Sequence, residues 1–284
     1  MYTGAVIYLL VMSALFGIVI GSFLNVVIYR VPAGRTVVKG HSMCMTCGHN
    51  LAAKDLIPII SWATLKGKCR YCGAPIASRY TKIESFTGVA FLISAICAYK
   101  TAAPALVIFD YPVYTFGLIY FVLYVLSVAA AISAMMIYFD TGKGYLGVAV
   151  WTLVLKIPAV LLPYLFNIQE NNGGVLNALK SVGIYLLQTG CAILLIFLLF
   201  LIQKKKYSVG DLFLDISILS LPLFNLYYYF WNQWIEFMAF ALCYGILRSV
   251  AKGTSKDKYS GIIAVCTLLF ISLLHYIYRM ILTA

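Results

Sequence analysis

Two short cysteine-glycine motifs in the first third of the chain offer metal-binding chemistry. They are Cys44-x-x-Cys47-Gly48 and Cys69-x-x-Cys72-Gly73, with 21 residues between the second cysteine of one and the first cysteine of the other. Each motif presents two thiolates from one tight turn, and the glycine after the second cysteine lets the backbone fold around an ion. The spacing is close to that of a four-cysteine zinc ribbon, so these four cysteines are predicted to bind zinc.

Other uses of these cysteines are two disulfides or an iron–sulfur cluster. Disulfides rarely persist inside a cell, where the topology below places this segment. Four thiolates leave no open coordination position, so a structural zinc is favoured over a catalytic one. His41 and His49 flank the first motif and could replace a ligand, although four cysteines already suffice. The other cysteines fall singly in apolar runs and receive no role: Cys97, Cys191, Cys243 and Cys266.

Two aspartates at the ends of apolar runs offer a second chemistry. Asp140 closes a long apolar run, and Asp211 opens another one after Ser208-Val209-Gly210. Two neighbouring carboxyl groups cannot both ionise, so one stays protonated while the other activates water, as in aspartic proteases. Simpler roles remain open, since Asp211 could cap a helix and Asp140 could pair with Lys143. Asp215, one helical turn after Asp211, is the main rival for the second carboxyl.

The composition predicts the elements that must position these residues. Of 284 residues, 63% are hydrophobic and 11% charged, and the mean hydropathy is +0.95, which makes a water-soluble fold very unfavourable. Uninterrupted apolar runs fit membrane helices rather than the alternating strands of a barrel. The net charge of +12 comes from basic residues beside the ends of these runs, so topology explains it and no nucleic-acid partner is expected.

Charge also orients the chain. From Arg30 to the residue before Glu84, the chain contains nine basic residues and one acidic residue, Asp55. The positive-inside rule therefore makes this segment cytoplasmic and the N-terminus external. Lys204, Lys205 and Lys206 mark a second inside segment. We expect an all-α, polytopic bundle of about eight transmembrane helices, including a hairpin that turns near Asn225 to Gln233. The predicted parts are a first transmembrane helix (1–30), a cytoplasmic zinc-binding loop domain (31–83) and a peptidase bundle (84–284).

Several sequence motifs in the first third of the chain resemble those of the type IV prepilin peptidase family. The first helix ends in Gly-Ser-Phe-Leu-Asn-Val-Val-Ile-Tyr-Arg-Val-Pro (21–32), which is close to the opening motif of that family. The match continues through both cysteine motifs, the intervening Asp55-Leu-Ile-Pro-Ile-Ile-Ser-Trp62, and Arg79-Tyr80 followed by Glu84 and Gly88. It covers residues 21–88, and the remainder is similar mainly in its helix pattern.

The resemblance implies a site in the second part of the chain. Asp140 matches the first catalytic aspartate of the family, and Asp211 matches the aspartate of its Gly-x-Gly-Asp motif. The chain departs from that pattern at three places. Ser208 replaces the first glycine, Phe213 stands where a lysine is common, and Gly144-Tyr-Leu-Gly147 replaces the usual Ile-Pro-Asp.

The resemblance also implies a function. It is cleavage of the basic leader of type IV prepilin or pseudopilin precursors at the cytoplasmic face of the bacterial inner membrane. Methylation of the new N-terminus by S-adenosylmethionine would follow; the cysteine loop is associated with that step, and Glu84 is a candidate for it, while the residues that bind the methyl donor are unknown. The alternatives are a peptidase without methylation, a transporter that couples ions through membrane aspartates, and a non-catalytic scaffold. Membrane lipid is an expected partner.

Overall fold

The computed structural model describes residues 2–108, 112–155, 175–219 and 230–282. Within these ranges the regular structure is helical, and the extended pairings are two isolated bridges, Met43 with Asn50 and Lys68 with Pro75. The contacts divide the chain into two compact units, Met1–Ala95 and Ile96–Ala284. The all-helical class is therefore confirmed for the described residues.

Nine α-helices are described, in chain order. They are α1 Tyr2–Arg30, α2 Ile60–Thr64, α3 Arg79–Ile108, α4 Pro112–Thr141, α5 Leu146–Leu155, α6 Val175–Ile202, α7 Val209–Leu219, α8 Phe230–Ala251 and α9 Ser260–Leu282. Two short 3₁₀ turns, Ala53–Asp55 and Asp257–Tyr259, precede α2 and α9.

Three of the described helices contain stretches long and apolar enough to cross a membrane: Ile7–Arg30, Phe121–Thr141 and Val182–Ile202. Leu146–Leu155 and Phe237–Ala251 are shorter apolar helices. Eight spans stay a prediction, because part of the predicted span 145–166 and most of the turn predicted at 225–233 lie outside the described residues. Residues 230–233, assigned to that turn from the sequence, already belong to α8.

In the first unit, α1 and α3 run antiparallel in close contact. The hydroxyl of Ser13 donates to the Phe91 carbonyl oxygen at 3.0 Å, and the Asn25 amide donates to the Tyr80 carbonyl oxygen at 3.2 Å. Glycines permit the approach between these points. A Cβ on Gly21 would lie 2.8 Å from the Cα of Glu84, and one on Gly88 would lie 2.7 Å from Ile18. Small residues at such crossings let membrane helices pack backbone to backbone.

In the second unit, α6 packs along α8, and α4 packs along both α7 and α9. Gly245 of α8 faces α6 so closely that a Cβ there would lie 2.8 Å from Leu199. The buried side chains of this unit include Ile132, Ile196, Phe200 and Leu214. A rigid apolar framework therefore surrounds the polar residues at the ends of α4, α7 and α8.

Candidate metal centre and carboxylate cluster

The two cysteine motifs fold in the same way. In the first, the Gly48 amide donates to the Cys44 carbonyl and the Cys44 amide donates to the His49 carbonyl, both at 2.9 Å. In the second, the Gly73 amide donates to the Cys69 carbonyl at 2.9 Å, and the Cys69 amide donates to the Ala74 carbonyl at 2.8 Å. Gly48 and Gly73 both have φ of 70°, a conformation that favours glycine. The predicted role of these glycines is confirmed.

The structure brings the four predicted ligands together. The sulfur atoms of Cys44, Cys47, Cys69 and Cys72 all lie within 4.8 Å of one another, and the Cys44 and Cys72 sulfurs are 3.9 Å apart. A tetrahedral ion with bonds of about 2.3 Å requires sulfurs about 3.8 Å apart. All eight cysteines of the chain lie in the described ranges and are free thiols. The arrangement therefore fits one metal ion bound by four thiolates, rather than two disulfides.

Hydrogen bonding prepares one of these thiols for metal binding. Backbone amides of Cys47 and then Thr46 lower the pKa of Cys44 to about 6. Donors of this kind stabilise the thiolate, which is the form that binds metal. A bound metal cation would offset the repulsion between four neighbouring thiolates.

Asp55 holds the two middle residues of the second motif. Its carboxylate accepts from the Nε of Arg70 at 2.7 Å and from the hydroxyl of Tyr71 at 2.8 Å. The hydrogen bond from Arg70 is the largest cause that keeps the pKa of Asp55 below its usual range. The Tyr71 ring also lies 3.7 Å, centroid to centroid, from the His49 ring of the first motif. His49 therefore supports the site through ring contact.

In the second unit, the turn after Asp140 packs against the beginning of α7. A Cβ on Gly144 would collide with the carbonyl oxygen of Gly210, and one on Gly210 would lie 3.2 Å from the Gly144 amide nitrogen. Asp140 is the penultimate residue of α4 and is exposed, whereas Asp211 in the first turn of α7 is fully buried. The two predicted carboxylates thus lie at adjoining helix ends, in different environments.

Asp211 accepts hydrogen bonds on both carboxylate oxygens. Oδ1 accepts from Arg248 Nη2 at 2.8 Å, from Lys252 Nζ at 2.5 Å, and lies 3.0 Å from the Tyr138 hydroxyl. Oδ2 accepts from the amide and the hydroxyl of Ser208 at 2.9 and 2.6 Å. The Asp211 amide lies 3.2 Å from the same hydroxyl oxygen, which completes a reciprocal capping box at the start of α7.

Arg248 lies at the centre of a carboxylate cluster formed by Asp211, Asp215 and Asp257. Its side chain is fully buried and contacts Asp211, while its Nε lies 3.3 Å from Asp215 Oδ1. Its Nη1 lies 3.2 Å from Asp257 and 3.3 Å from the Ser260 hydroxyl. One cation therefore bridges three carboxylates on α7 and on the 3₁₀ turn before α9, so that the buried charges of Arg248, Asp211 and Asp215 have partners of opposite sign.

Asp215, the rival predicted from the sequence, belongs to the same cluster. It is fully buried and accepts from the hydroxyls of Tyr244 at 2.7 Å and Tyr207 at 2.8 Å. The Asp215 carboxylate therefore has three neighbouring donors, the Arg248 guanidinium and the two tyrosine hydroxyls. This environment is typical of a structural ion pair inside a bundle.

Sequence reasoning missed Arg248 and Lys252, which it used only as markers of the inner side of the membrane. The available signal was the position of Arg248 in the last turn of an apolar helix, one turn after Tyr244 and one turn before Lys252. A basic residue that faces a bundle interior needs an acidic partner.

Together, these features describe a chain with helices apolar enough to cross a membrane, a loop whose four cysteines could hold a metal ion, and a buried ion cluster. Residues 15–98 match the family described as Bacterial Peptidase A24 N-terminal domain. This part of the chain is therefore similar to the N-terminal domain of that peptidase family, in agreement with the resemblance of its motifs.

Curated relatives agree with this family. The chain is 49% identical over 75 residues to a prepilin leader peptidase/N-methyltransferase of Myxococcus xanthus, covering 26% of this chain and 22% of the relative. It is 39% identical over 108 residues to the Dichelobacter nodosus protein of the same name, covering 28% and 38%. A type 4 prepilin-like proteins leader peptide-processing enzyme of Escherichia coli is 35% identical over 104 residues, covering 30% and 39%. The chain thus spans well under half the length of these relatives, and no solved structure matches it.

Proposed function

We propose that this chain is a membrane aspartic endopeptidase that removes the basic leader of type IV prepilin or pseudopilin precursors and methylates the new N-terminus. The family of residues 15–98 and the names of the relatives support this substrate class. The observation that carries the catalytic proposal is the close packing of Gly144 on Gly210, because it joins the helix ends that hold Asp140 and Asp211.

In the proposed mechanism the two carboxyls differ in charge. The donors around Asp211 favour its ionised form, so it acts as the base that takes a proton from the attacking water. In an aspartic dyad one carboxyl holds the shared proton, and we assign this role to Asp140, which is exposed at the adjoining helix end. The neutral Asp140 then polarises the scissile carbonyl, and the proton gained by Asp211 is passed on to the leaving amine.

Access to Asp211 depends on Lys252. The lysine is the most exposed of the charged donors to Oδ1, with 19% of its side chain accessible compared with 0% for Arg248. Its withdrawal would uncover Oδ1 for a water molecule while Arg248 and Tyr138 keep the carboxylate in place. We therefore assign Lys252 as the group that moves when substrate binds.

For the cofactors, we propose structural zinc at Cys44, Cys47, Cys69 and Cys72. S-adenosylmethionine would supply an activated methyl group for the new N-terminal amine. Glu84 is buried and accepts from the Ile59 amide at 2.8 Å, so we assign it an anchoring role, while its part in methylation stays a prediction from the resemblance. The proposed location is the bacterial inner membrane, with the N-terminus outside and the cysteine loop cytoplasmic.

The test is cleavage of a purified prepilin by the full chain in detergent. Asp140→Asn and Asp211→Asn are each expected to reduce the cleavage rate by about 10² to 10⁴-fold, the usual contribution of an acid–base group. Glu170→Gln, which also removes one carboxylate but lies in neither predicted site, serves as the control and should cleave normally.

Undiminished cleavage by either aspartate variant would reject the dyad. Loss of cleavage in Asp215→Asn alone, with normal thermal unfolding, would move the second carboxyl to Asp215. Mass spectrometry of the product tests methylation separately: cleavage without an added methyl group leaves a peptidase alone. Proton-coupled uptake into vesicles, without cleavage, would support the transporter instead.

A further inference from the structure

The segment between the cysteine motifs contains a rare backbone turn. Ile59 has φ of 61° and ψ of −51°, and the Ile60 amide donates to the Pro58 carbonyl at 2.5 Å. These values define a γ-turn of the strained class, here centred on a β-branched residue. Such a conformation persists only where the surroundings hold it, and it marks places with a function.

Glu84 of α3 holds this turn against the membrane helices. Its carboxylate accepts from the Ile59 amide at 2.8 Å and from the hydroxyl of Ser22 on α1. Glu84 is 6% exposed, and the absence of a Cβ at Gly21 allows α1 to approach it closely. The turn is therefore attached to α1 at Ser22, well before the end of that helix at Arg30, and to α3 at Glu84, in the second turn of that helix.

This attachment sets the depth of the turn along α1. Ser22 precedes the end of α1 at Arg30 by eight residues, which corresponds to about 12 Å of helix. A different part of the loop is held at the helix end itself, where the Arg30 guanidinium donates to the carbonyls of Thr36, Lys39, Gly40 and His41. The γ-turn thus reaches about two helical turns further along the candidate span Ile7–Arg30 than the Arg30-bound segment.

The side chains around the turn are apolar and point outward. Leu56, Ile57 and Ile60 are 42%, 45% and 59% exposed, whereas a soluble loop would carry polar residues here. Lys54 and Lys66, on either side of this apolar group, are both exposed. Apolar side chains flanked by lysines fit the boundary between acyl chains and anionic headgroups.

The backbone is also suited to that environment. The amides of Ile59, Ile60 and Ser61 donate to Glu84, Pro58 and Ile57, and Pro58 has no amide hydrogen to satisfy. Non-helical backbone at membrane depth is tolerated only where its polar groups have partners within the protein. We therefore propose that Leu56–Ile60 forms an interfacial wedge that inserts among anionic phospholipids, with Glu84 as its anchor. This inference rests on the first unit alone and stands whether or not the chain is a peptidase.

The test is photocrosslinking in the full chain, reconstituted into vesicles of phosphatidylethanolamine and phosphatidylglycerol. Benzoylphenylalanine replaces Ile57 or Ile60, and in the control it replaces Val38, which is 87% exposed and lies in the Arg30-bound segment. We expect about tenfold more lipid adduct from positions 57 and 60 than from position 38, because only the wedge reaches acyl chains. Equal yields at all three positions would overturn the proposal. Adducts to a co-reconstituted prepilin in place of lipid would identify a substrate surface and also overturn it.

The anchor is tested in the same assay with the probe at position 57. Glu84→Gln keeps an acceptor for the Ile59 amide and should retain the lipid adduct, whereas Glu84→Ala should lose most of it. An unchanged adduct in Glu84→Ala, at unchanged metal content, would reject the anchoring role. If that variant fails to fold, the comparison of positions 57, 60 and 38 still decides whether the wedge exists.

Discussion

The two polar sites of this molecule are assembled in opposite ways. The four-cysteine centre is partly exposed, with Cys69 buried and Cys47 and Cys72 at the surface, and its cysteines lie on two short motifs whose geometry is set by local backbone hydrogen bonds. The carboxylate cluster is buried, and Asp211 contacts cations that lie 37 and 41 residues further along the chain, Arg248 on α8 and Lys252 in the turn after it. We expect the first site to depend on a bound ion for its stability, because it could hold one, and the second to depend on the packing of α4, α7 and α8. Perturbing each site should therefore affect a different part of the chain.

Metal removal should produce the largest effect, confined to the loop. Four-thiolate zinc contributes about 10–16 kcal/mol to folding in small metal domains, and the loop has little apolar core to replace it. In Cys69→Ser, metal content per chain should fall towards zero and amide exchange in residues 42–76 should rise. Exchange around Asp211 and Arg248 should stay unchanged.

The matched control is Cys266→Ser, which removes a thiol from α9 outside the metal site. It should retain the metal and the protection of the loop. Unchanged metal content in Cys69→Ser would contradict four-thiolate binding, and equal exchange in both units would contradict their independence.

Breaking the buried cluster should have the next largest effect, confined to the second unit. Arg248→Met leaves Asp211 and Asp215 buried without their shared cation, which costs about 3–5 kcal/mol in comparable buried pairs. Thermal unfolding in detergent should show a large decrease in stability, while metal content remains normal.

Arg70→Met provides a comparison with a more accessible ion pair, since the Arg70 side chain is 37% exposed, although that of its partner Asp55 is 3% exposed. Its effect on unfolding should be much smaller, because solvent already screens exposed ion pairs. Similar losses in the two variants would mean that burial does not distinguish these sites.

The same contrast explains what could be predicted from the sequence. The metal ligands, the glycine turns and most helix positions follow from local spacing and apolar periodicity. The partners of Asp211 and the contact of Glu84 with Ile59 do not, because residues distant in the sequence meet only after the helices pack. Ser208 could be predicted only in part. The sequence shows that it differs from the family motif, but only the structure shows that its hydroxyl bonds to Asp211.

A moderate effect is expected from Asp55, which supports the metal centre through Arg70 and Tyr71. Removing such a partner of a metal-binding segment usually weakens metal affinity about 10- to 100-fold. Asp55→Ala should show this decrease in a competition titration with a zinc chelator. Lys54→Ala, next to it, should show none, and an equal decrease in both would contradict the support.

The pKa of Asp55 adds a pH dependence to this support. Because the bond from Arg70 lowers the pKa of Asp55, the carboxylate contributes stability above its ordinary pKa of about 3.9, and this contribution is lost as pH falls further. At neutral pH, Asp55→Ala should therefore speed amide exchange in the second cysteine motif. At the acid end of the range, where the parent carboxylate has lost its charge, the substitution should have no effect on this exchange.

The smallest effect is expected at Ser208, where the chain differs from the Gly-x-Gly-Asp motif of the prepilin peptidase family that it resembles. Ser208→Ala removes the hydroxyl that bonds Asp211 Oδ2 at 2.6 Å and caps α7, which should cost about 1 kcal/mol. Both variants keep the backbone amide that donates to Oδ2, and Ser208→Gly should cost less because glycine is itself tolerated at a helix N-cap. If the hydroxyl restrains Asp211 during catalysis, Ser208→Gly should cleave prepilin at least as fast as the parent chain despite its lower unfolding temperature. A slower rate would instead show that the hydroxyl keeps Asp211 oriented for the reaction, so the local cap would serve the catalytic site as well as the helix.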